Sequence, residues 1–425
     1  MAGGAHPAGC PAHADAVPLS GPRFHTDPAE LYREMRRDHG TVAPVELLGE
    51  VPAWLVIGYR ELHQVTSDPV LFSRDSELWN QWERIPADWP LLPMIGRRQP
   101  SILYTVGNRH QRRSAMVSNA LDGVDPFDLR RHAEQLADTL IDSFCGNGRT
   151  DIIGDYAKLL PILVLARVYG FPDAEGPGLA KALNDMIDGG PDALRGQQHL
   201  AVSMQQLVAL KHRAPGHDVV SRMLAHQPAE FTDEEVFQDL MVMSAAGHQP
   251  TADWIGNSVR LMLTDDRFAA SLSGGRHSVA AAMNEVLWED TPTQNVAGRW
   301  ASRDTRLGGR HIRTGDLLLL GLAAANSDPQ VHQAQHAGTA QQGGLTGGNS
   351  AHFSFGHGDH RCPFPAQEVA EVIARTGIEV LLDRLPDIDL ATPAQTLVRR
   401  PSPWLRGLTE LPVRFTPTPA VGGTA

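Results

Sequence analysis

The feature that most constrains the fold is a long helical pattern from Thr232 to about Thr264. Thr232 and Glu235 have the spacing of a capping box, and apolar residues recur at helical intervals along the segment. At 1.5 Å per residue, such a helix is roughly 45 Å long, which is enough to cross a whole domain. The pattern therefore predicts a mainly helical domain.

Short strand signals interrupt the helical pattern elsewhere. Residues 51–58 (VPAWLVIG) alternate apolar side chains between turn formers, and residues 310–326 contain a TG turn followed by an apolar run. A second clear helix follows Pro365, with apolar residues on one face and charged residues on the other. We therefore expect helices with small β-sheets.

Composition at the two ends of the chain predicts the domain limits. Residues 1–22 are rich in Ala, Gly, Pro and His, and residues 417–425 (PTPAVGGTA) contain mostly Pro, Gly, Ala and Thr. Both segments are therefore predicted to be disordered tails. Residues 23–416 are predicted to form a single domain.

Charge and cysteine content limit the classes of partner and compartment. A net charge of −12 argues against nucleic acid or an anionic membrane surface as a partner. No basic segment followed by an apolar stretch opens the sequence, and no window of about 18 apolar residues occurs. Cys10, Cys145 and Cys362 form neither a C-x-x-C pair nor a zinc pattern, which suits a reducing compartment. We expect a cytoplasmic protein in which any metal is held by one sulfur or by none.

The segment 352–370 (HFSFGHGDHRCPFPAQEVA) places Cys362 just before a predicted helix. Gly356 and Gly358 permit backbone turns that a Cβ would obstruct. A sulfur near a helix N-terminus faces unsatisfied N–H groups, which favours thiolate, the form that binds metals. A buried, inert thiol is the competing interpretation of this cysteine taken by itself.

The full pattern Phe355-Gly-His-Gly-Asp-His-Arg-Cys362 resembles the haem-binding loop of the cytochromes P-450, in the form common among actinobacterial members. Further segments resemble other parts of that family in family order: 27–45 with 52–73, 155–172, 245–257, 317–329 and 406–415. The resemblance implies the cytochrome P-450 fold, which is mainly α with small β-sheets and has a long I-helix over the haem. It also implies haem b as cofactor.

The same resemblance assigns roles to individual residues. It implies that Cys362 is the axial ligand of the haem iron and that Phe355 packs beside its sulfur. It implies that His110, Arg299 and His352 donate hydrogen bonds to the haem propionates. The other residues predicted to contact haem are Arg112, Ala246, Gly247 and Gly356. The second arginine usual on the helix of His110 is replaced by Ser114.

The long helix departs from the family at its proton-relay residues. The usual acid and alcohol are replaced by Gln249, which cannot ionise, and Pro250, which has no hydroxyl. The catalytic candidates in this stretch are therefore His248, Gln249 and Thr251, with a substrate hydroxyl or a water chain as alternatives. Pro250 also lacks the N–H that would bond to the Ala246 carbonyl, so a kink is expected there.

The K-helix motif of the family, Glu-x-x-Arg, is here Glu285-Val-Leu-Trp288. The loop 329–351, which in relatives supplies a second arginine, contains none. Trp288 is therefore predicted to pack where relatives have an ion network. The altered motif resembles an actinobacterial subgroup whose members occur in operons with small-GTPase signalling components, which adds signalling proteins to the expected partners. Phe364 replaces the usual glycine and is expected to turn away from the ring or lie at its edge.

The substrate pocket is predicted from the family's arrangement. The residues expected to line it are Trp79, Trp82, Trp89, Met243, Val296 and Ala297, together with Ala246. Three tryptophans close together indicate either an apolar pocket for an aromatic or polyketide-like substrate or simple core packing. Both interpretations stay open on sequence grounds.

These observations favour a monooxygenase-type oxidoreductase of secondary metabolism that hydroxylates or oxidatively couples a small apolar substrate. The sequence has no flavin or nicotinamide motif, so ferredoxin and ferredoxin reductase are the expected electron donors. Arg112, Arg113 and Arg361 are candidates for a positive patch facing an acidic ferredoxin. The alternatives are a haem-binding regulatory or scaffold protein without oxygen activation, and a peroxide-driven haem enzyme.

Overall fold

The computed structural model describes residues 15–95, 101–188, 192–228, 230–265, 268, 277–331 and 350–422. Helices predominate in these ranges, and the strands form small sheets, as the sequence predicts. The α-helices of these ranges are α1 (Pro22–Thr26), α2 (Pro28–His39), α3 (Tyr59–Ser67), α4 (Leu92–Ile95), α5 (Gly107–Asp122), α6 (Pro126–Asp142), α7 (Leu160–Tyr169), α8 (Gly176–Asp188), α9 (Ala193–Arg213), α10 (Val219–Ala225), α11 (Asp233–Thr264), α12 (His277–Glu289), α13 (Leu322–Asn326) and α14 (Ala366–Arg384).

The strands pair into one larger sheet and two small ones. They are β1 (Val17–Pro18), β2 (Val42–Leu47), β3 (Val51–Val56), β4 (Phe72–Ser73), β5 (Arg149–Asp151), β6 (Val296–Ala301), β7 (Thr305–Leu307), β8 (Arg310–Ile312), β9 (Leu317–Leu320), β10 (Asp389–Leu390) and β11 (Pro412–Arg414). The larger sheet has the order β1-β2-β3-β9-β6-β4, and β10-β11-β5 and β7-β8 form the others.

The long predicted helix is confirmed as α11. Its N-terminus has the full capping box: the Glu235 N–H donates to Thr232 Oγ1 at 3.3 Å, and the Thr232 N–H donates to Glu235 Oε2 at 3.0 Å. The helix packs against α7, α12 and α14, so most of its second half is buried. It continues as one helix through Pro250. The apolar side chains buried along α11 form the centre of the main core.

A register shift in the larger sheet determines which side chains reach the cavity described below. The pairing of β6 with β9 is interrupted between Val296 and Arg299. Side chains alternate along a regular strand, so residues three apart would face opposite sides. Because the irregularity inserts an extra residue, Val296 and Arg299 both line the same cavity.

Two predicted tails are shorter than the sequence indicated. Val17–Pro18 is paired in parallel with β2, although it belongs to the segment predicted to be disordered. At the other end, the backbone N–H groups of Val421 and Gly422 donate to Asp142 at 3.0 and 2.9 Å. Polar composition alone did not reveal these backbone contacts. Residues 1–14 and 423–425, and most of the arginine-free loop at 332–349, lie outside the described residues.

Candidate functional site

A largely apolar cavity of about 320 Å³ lies between α11, α14 and the loop that contains Cys362. The side of α11 that faces it presents Met243, Ala246, Gly247 and Pro250. Of the residues predicted for the substrate pocket, Met243 and Val296 line it, but Ala297 does not. The cavity therefore has one wall from the long helix and another from the cysteine loop.

The cysteine loop folds back on itself through two glycines. Gly356 and Gly358 both have φ of +74°, a conformation that favours glycine. The Cys362 N–H donates to the Phe355 carbonyl at 2.9 Å, which brings these two residues together at the cavity wall. A Cβ on Gly358 would lie 2.1 Å from the Thr66 carbonyl oxygen, so the loop also fits closely against α3. The glycines thus allow the backbone path that presents Cys362 to the cavity.

The predicted effect of a helix N-terminus on the thiol is not supported. Helix α14 begins at Ala366, four residues after Cys362, and burial raises the pKa of the Cys362 thiol to about 11. Desolvation disfavours the thiolate because it is charged. In the absence of a metal this sulfur is therefore protonated at neutral pH, and metal binding has to displace the proton.

The three catalytic candidates of α11 do not share one face. Thr251 lines the cavity, and its hydroxyl donates to the Gly247 carbonyl at 2.7 Å. His248 points elsewhere, with Nε2 2.7 Å from the Lys158 carbonyl oxygen. Gln249 is buried and donates from Nε2 to Asp253 Oδ1 at 2.8 Å. His248 and Gln249, which were predicted as catalytic candidates, therefore do not line the cavity, because the helical turn directs both side chains away from it.

Four basic residues gather at one edge of the cavity, and we call Arg74, His110, Arg299 and His360 the cavity-edge cluster. Arg299 is 2% exposed, and its Nε and Nη1 have no hydrogen-bond acceptor. The His110 and His360 ring centroids are 3.8 Å apart. No carboxylate side chain is found among the described residues that line the cavity. The cluster therefore carries buried positive charge, and the acid that interacts with it, Asp359, lies outside the cavity wall and does not offset the lowering of the Arg299 pKa.

The electrostatic effects agree with this excess of positive charge. Burial and the nearby Arg74 hold the pKa of Arg299 well below its ordinary value. Burial, Arg74, Arg299 and His110 together lower the pKa of His360 strongly. Burial also lowers the pKa of His110, although backbone carbonyls of Asp359 and Ile102 oppose that effect. An anion placed among these groups would reverse much of this penalty.

Two residues predicted to bind the propionates lie outside the cavity. Arg112 forms an ion pair with Glu230 and is about half exposed. His352 packs behind the loop, with its ring 5.6 Å from Trp288 and 6.2 Å from Phe355 between centroids. Burial there lowers the pKa of His352 to about 4. Two other histidines of the loop, His357 and His360, do line the cavity, and neither was predicted to contact haem although His360 lies only two residues before Cys362.

The predicted tryptophan pocket is core packing. Trp79 and Trp89 are buried, and Trp82 packs against them, in a cluster beneath the larger sheet. None of the three lines the cavity. Their spacing did not distinguish the two alternatives, because both need buried apolar surface.

The altered K-helix motif is accompanied by a different ion network, which we call the Asp290 cluster: Asp290, Arg260, Arg399 and Arg406. Asp290 Oδ1 accepts from Arg406 Nε at 2.6 Å, and Oδ2 accepts from Arg260 at 3.1 Å and from Arg399. The arginines hold the pKa of the Asp290 carboxyl well below its ordinary value despite burial. Trp288 is 1% exposed and lies in the core beside Glu285, while Phe364 is 58% exposed and points away from the cavity.

The site as a whole fits a flat apolar group that contains a metal and carries anionic substituents. Cys362 offers a soft sulfur ligand at one wall, and such ligands suit iron. The uncompensated Arg299 and Arg74 at the edge suit carboxylates. Haem combines these properties, so the residues present fit the group that the sequence resemblance implies.

Comparisons with known proteins agree with the resemblance that the sequence motifs indicate. No protein-family model matches the chain. It is 28% identical to cytochrome P450 107B1 of Saccharopolyspora erythraea, over 92% of this chain and 96% of that one. It is 26% identical to the vitamin D3 dihydroxylase of Streptomyces griseolus, over 90% and 93%. The structure of CYP154C4 from a Streptomyces species superimposes with a TM-score of 0.81 at 27% identity, over 96% and 99% of the two chains.

The fold is that of the cytochromes P450, and the chain is similar in sequence to members of that family over nearly its whole length. The mainly helical fold with small sheets is confirmed by the structural superposition. In the described ranges, no helix has the length and apolar character needed to cross a bilayer.

Proposed function

We propose that this chain holds haem b in the cavity, with Cys362 as axial ligand, and hydroxylates or oxidatively couples a small apolar substrate. The observation that carries the proposal is the cavity itself, which joins a cysteine on one wall to the Arg299 guanidinium at its edge, whose Nε and Nη1 have no hydrogen-bond acceptor. Cys145, the other cysteine in the described ranges, is buried at the end of α6 and does not line the cavity. A noncovalent haem therefore suits the site better than one attached through a second cysteine.

Each wall has a separate role in holding the cofactor. Cys362 supplies the ligand, Phe355 shields the sulfur, and Gly356 leaves room at the proximal wall. Ala246 and Gly247 present small side chains on the opposite wall, where a larger residue would occupy the cavity. The cavity-edge cluster binds the carboxylates through charge-assisted hydrogen bonds. Haem bound in this way supplies the redox chemistry by which one oxygen atom of dioxygen is inserted into the substrate.

Proton delivery is assigned to Thr251. Among the catalytic candidates it is the one whose side chain reaches the cavity, since His248 and Gln249 are directed to Lys158 and Asp253. Its hydroxyl donates to Gly247 and accepts from a water or a substrate hydroxyl. Gln249 instead connects α11 to Arg400 through Asp253, which is a scaffold role.

The residues that line the cavity on the side of α11 and β6 favour an apolar substrate. Met243, Pro250 and Val296 offer no charge and no strong hydrogen-bond donor, so recognition rests on burial of apolar surface. The similarity to a vitamin D3 dihydroxylase is consistent with a hydrophobic substrate. An aromatic or polyketide-like compound stays within this class, although the tryptophans that first suggested one lie in the core.

Electrons are proposed to come from ferredoxin and ferredoxin reductase. The predicted positive patch is smaller than the sequence suggested. Arg113 is fully buried and pairs with Glu235 and Asp239, and Arg112 pairs with Glu230. Arg361 stays exposed beside the cysteine loop and is the basic residue left for docking.

One alternative has direct structural support. Gln249 and Pro250 replace the acid and alcohol of the usual proton relay. The Gln249 side chain donates to Asp253 and does not line the cavity. These facts favour a haem-binding regulatory or scaffold role, with signalling proteins as partners, as the second candidate. A peroxide-driven reaction is less well supported, because no carboxylate in the described part of the cavity wall is available as a pocket acid.

The carbon monoxide difference spectrum of the reduced protein tests the ligand assignment. Haem-loaded wild-type protein is expected to show a strongly red-shifted Soret band, and Cys362→Ala is expected to lose it. Survival of that band in the variant would overturn the assignment. Cys145→Ala is the matched control and is expected to keep the wild-type spectrum, because Cys145 does not reach the cavity.

Turnover measurements then separate the enzyme from the regulator. Product formation with a ferredoxin and its reductase, across apolar compounds, supports the monooxygenase. The absence of product with these partners and with added peroxide, in protein that passes the carbon monoxide test, supports the regulatory alternative.

A further inference from the structure

We propose that Arg74 is a second guanidinium that binds a haem carboxylate, in place of the arginine that the His110 helix lacks. This inference rests on the haem binding proposed above. Arg74 directly follows β4, at the end of the N-terminal segment that resembles the family, and is not among the residues to which the resemblance gives a role. It lines the cavity and is 4% exposed.

Helix α5 cannot supply that guanidinium. Arg113 is fully buried in a double ion pair, 2.9 Å from Glu235 and 2.8 Å from Asp239. Arg109 also pairs with Glu235, and Arg112 pairs with Glu230. Ser114 occupies the position where relatives carry the arginine. Of the polar side chains of α5, His110 alone lines the described cavity.

The structure holds the Arg74 guanidinium in place without neutralising it. Nε donates to the Leu103 carbonyl at 2.8 Å, and Nη1 donates to the Ala297 carbonyl at 2.9 Å. The Tyr104 ring centroid lies 5.7 Å from Cζ. These contacts use two of the five N–H donors of the side chain and leave the others for a further acceptor. Carbonyl groups fix its orientation but carry no net charge.

The neighbouring groups make an anion necessary. Arg299 experiences the positive charge of Arg74, which adds to the effect of burial in lowering its pKa. A buried guanidinium without an acid is costly, and two of them side by side are costlier. A carboxylate accepts two parallel hydrogen bonds from an arginine, so the propionates of haem suit this pair.

The test measures how fast haem leaves the protein for an excess of apomyoglobin. Arg74→Gln is expected to release haem roughly tenfold to a hundredfold faster than wild type, which is the usual effect of losing a hydrogen bond to a charged group. Arg112→Gln removes an arginine outside the cavity and is the matched control, expected to match wild type. Adding Ser114→Arg to Arg74→Gln is expected to restore slow release.

Haem dimethyl ester distinguishes carboxylate binding from a packing role. The ester has no carboxylate, so Arg74→Gln is expected to change its release by about twofold or less. Equal acceleration for haem and for the ester would overturn the proposal, and so would a wild-type rate of haem release. If Arg74→Gln does not fold, Arg74→Lys replaces it, because lysine keeps the charge but not the paired geometry. A folded wild-type protein that takes up no haem would instead contradict the proposed function.

Discussion

The Asp290 cluster and the cavity-edge cluster are both buried groups of arginine-rich side chains, yet their charge balance is opposite. In the first, one carboxylate accepts from three guanidinium groups, and its own pKa is held low. In the second, two arginines and two histidines face each other with no acid in the cavity wall that the structure describes. The first cluster is complete within the protein, whereas the second needs an anion from outside.

This difference in charge balance indicates that the Asp290 cluster stabilises the fold, whereas the cavity-edge cluster belongs to the binding site. The Asp290 cluster connects α11 and the end of α12 with the C-terminal segment, and the Arg406 N–H donates to the Pro292 carbonyl at 2.8 Å. Pro292 and Thr293 line the cavity, so this cluster positions the cavity wall without entering it. Substitutions in the two clusters should therefore affect different quantities, one the stability of the fold and the other the affinity for the cofactor.

The largest effect is expected for Asp290→Asn. It removes the one acid of its cluster and leaves three arginines near each other in a partly buried site, which should cost about 3–5 kcal/mol of unfolding free energy. Urea denaturation of the haem-free protein measures this loss. Asp389→Asn is the control, because its ion pair with Arg414 is largely exposed and should contribute about 1 kcal/mol or less. Equal losses for the two variants would contradict the scaffold role of the Asp290 cluster.

A smaller effect of opposite sign is expected for Arg299→Met. The substitution removes a buried charge whose Nε and Nη1 lack acceptors, so the haem-free protein should gain about 1–3 kcal/mol of stability. The same variant should bind haem more weakly, because it loses a carboxylate partner. Thermal unfolding of both forms checks the prediction, with the exposed Arg306→Met as control. A less stable haem-free variant would show that Arg299 has a structural partner.

The smallest effect concerns pH. Burial lowers the pKa of His352 to about 4, so this histidine is neutral in the folded protein while the unfolded chain binds a proton below about pH 6.5. Stability should therefore fall as the pH drops from 6.5 towards 4, with a contribution of at most about 1.4 kcal/mol per pH unit. His352→Phe should reduce this slope in urea denaturation at pH 7, 6 and 5. An unchanged slope would place His352 in contact with a stabilising anion, as the sequence analysis expected.

Local signals made parts of the molecule predictable from the sequence. The capping box and apolar periodicity of α11 depend on neighbouring residues, and the structure has both. The cysteine loop was recognisable from its resemblance to a known family loop, and the structure shows that Gly356 and Gly358 in that pattern are required by the backbone path. In these places the residues that form the sequence pattern also determine the local backbone conformation.

The side-chain placements that the sequence did not reveal depend on contacts distant in sequence. Gln249 and Asp253 are four residues apart on α11, but nothing near them indicates that Asp253 also pairs with Arg400, 147 residues further along the chain. His352 and His360 both belong to the cysteine loop, and only the fold of the loop decides that His360 faces the cavity. Arg74 belongs to none of the motifs whose residues were given roles from the sequence, so its place in the cavity-edge cluster could be found only from the structure.

The distances in sequence within the Asp290 cluster also bear on how the chain is made. Arg399 and Arg406 are separated from Asp290 by more than a hundred residues, and from Arg260 by still more. During synthesis, the central helix and the segment around Pro292 leave the ribosome long before their arginine partners do. A nascent chain that ends before Arg399 therefore has Asp290 paired with Arg260 at most, and the cluster can be completed only after the C-terminal segment has been made.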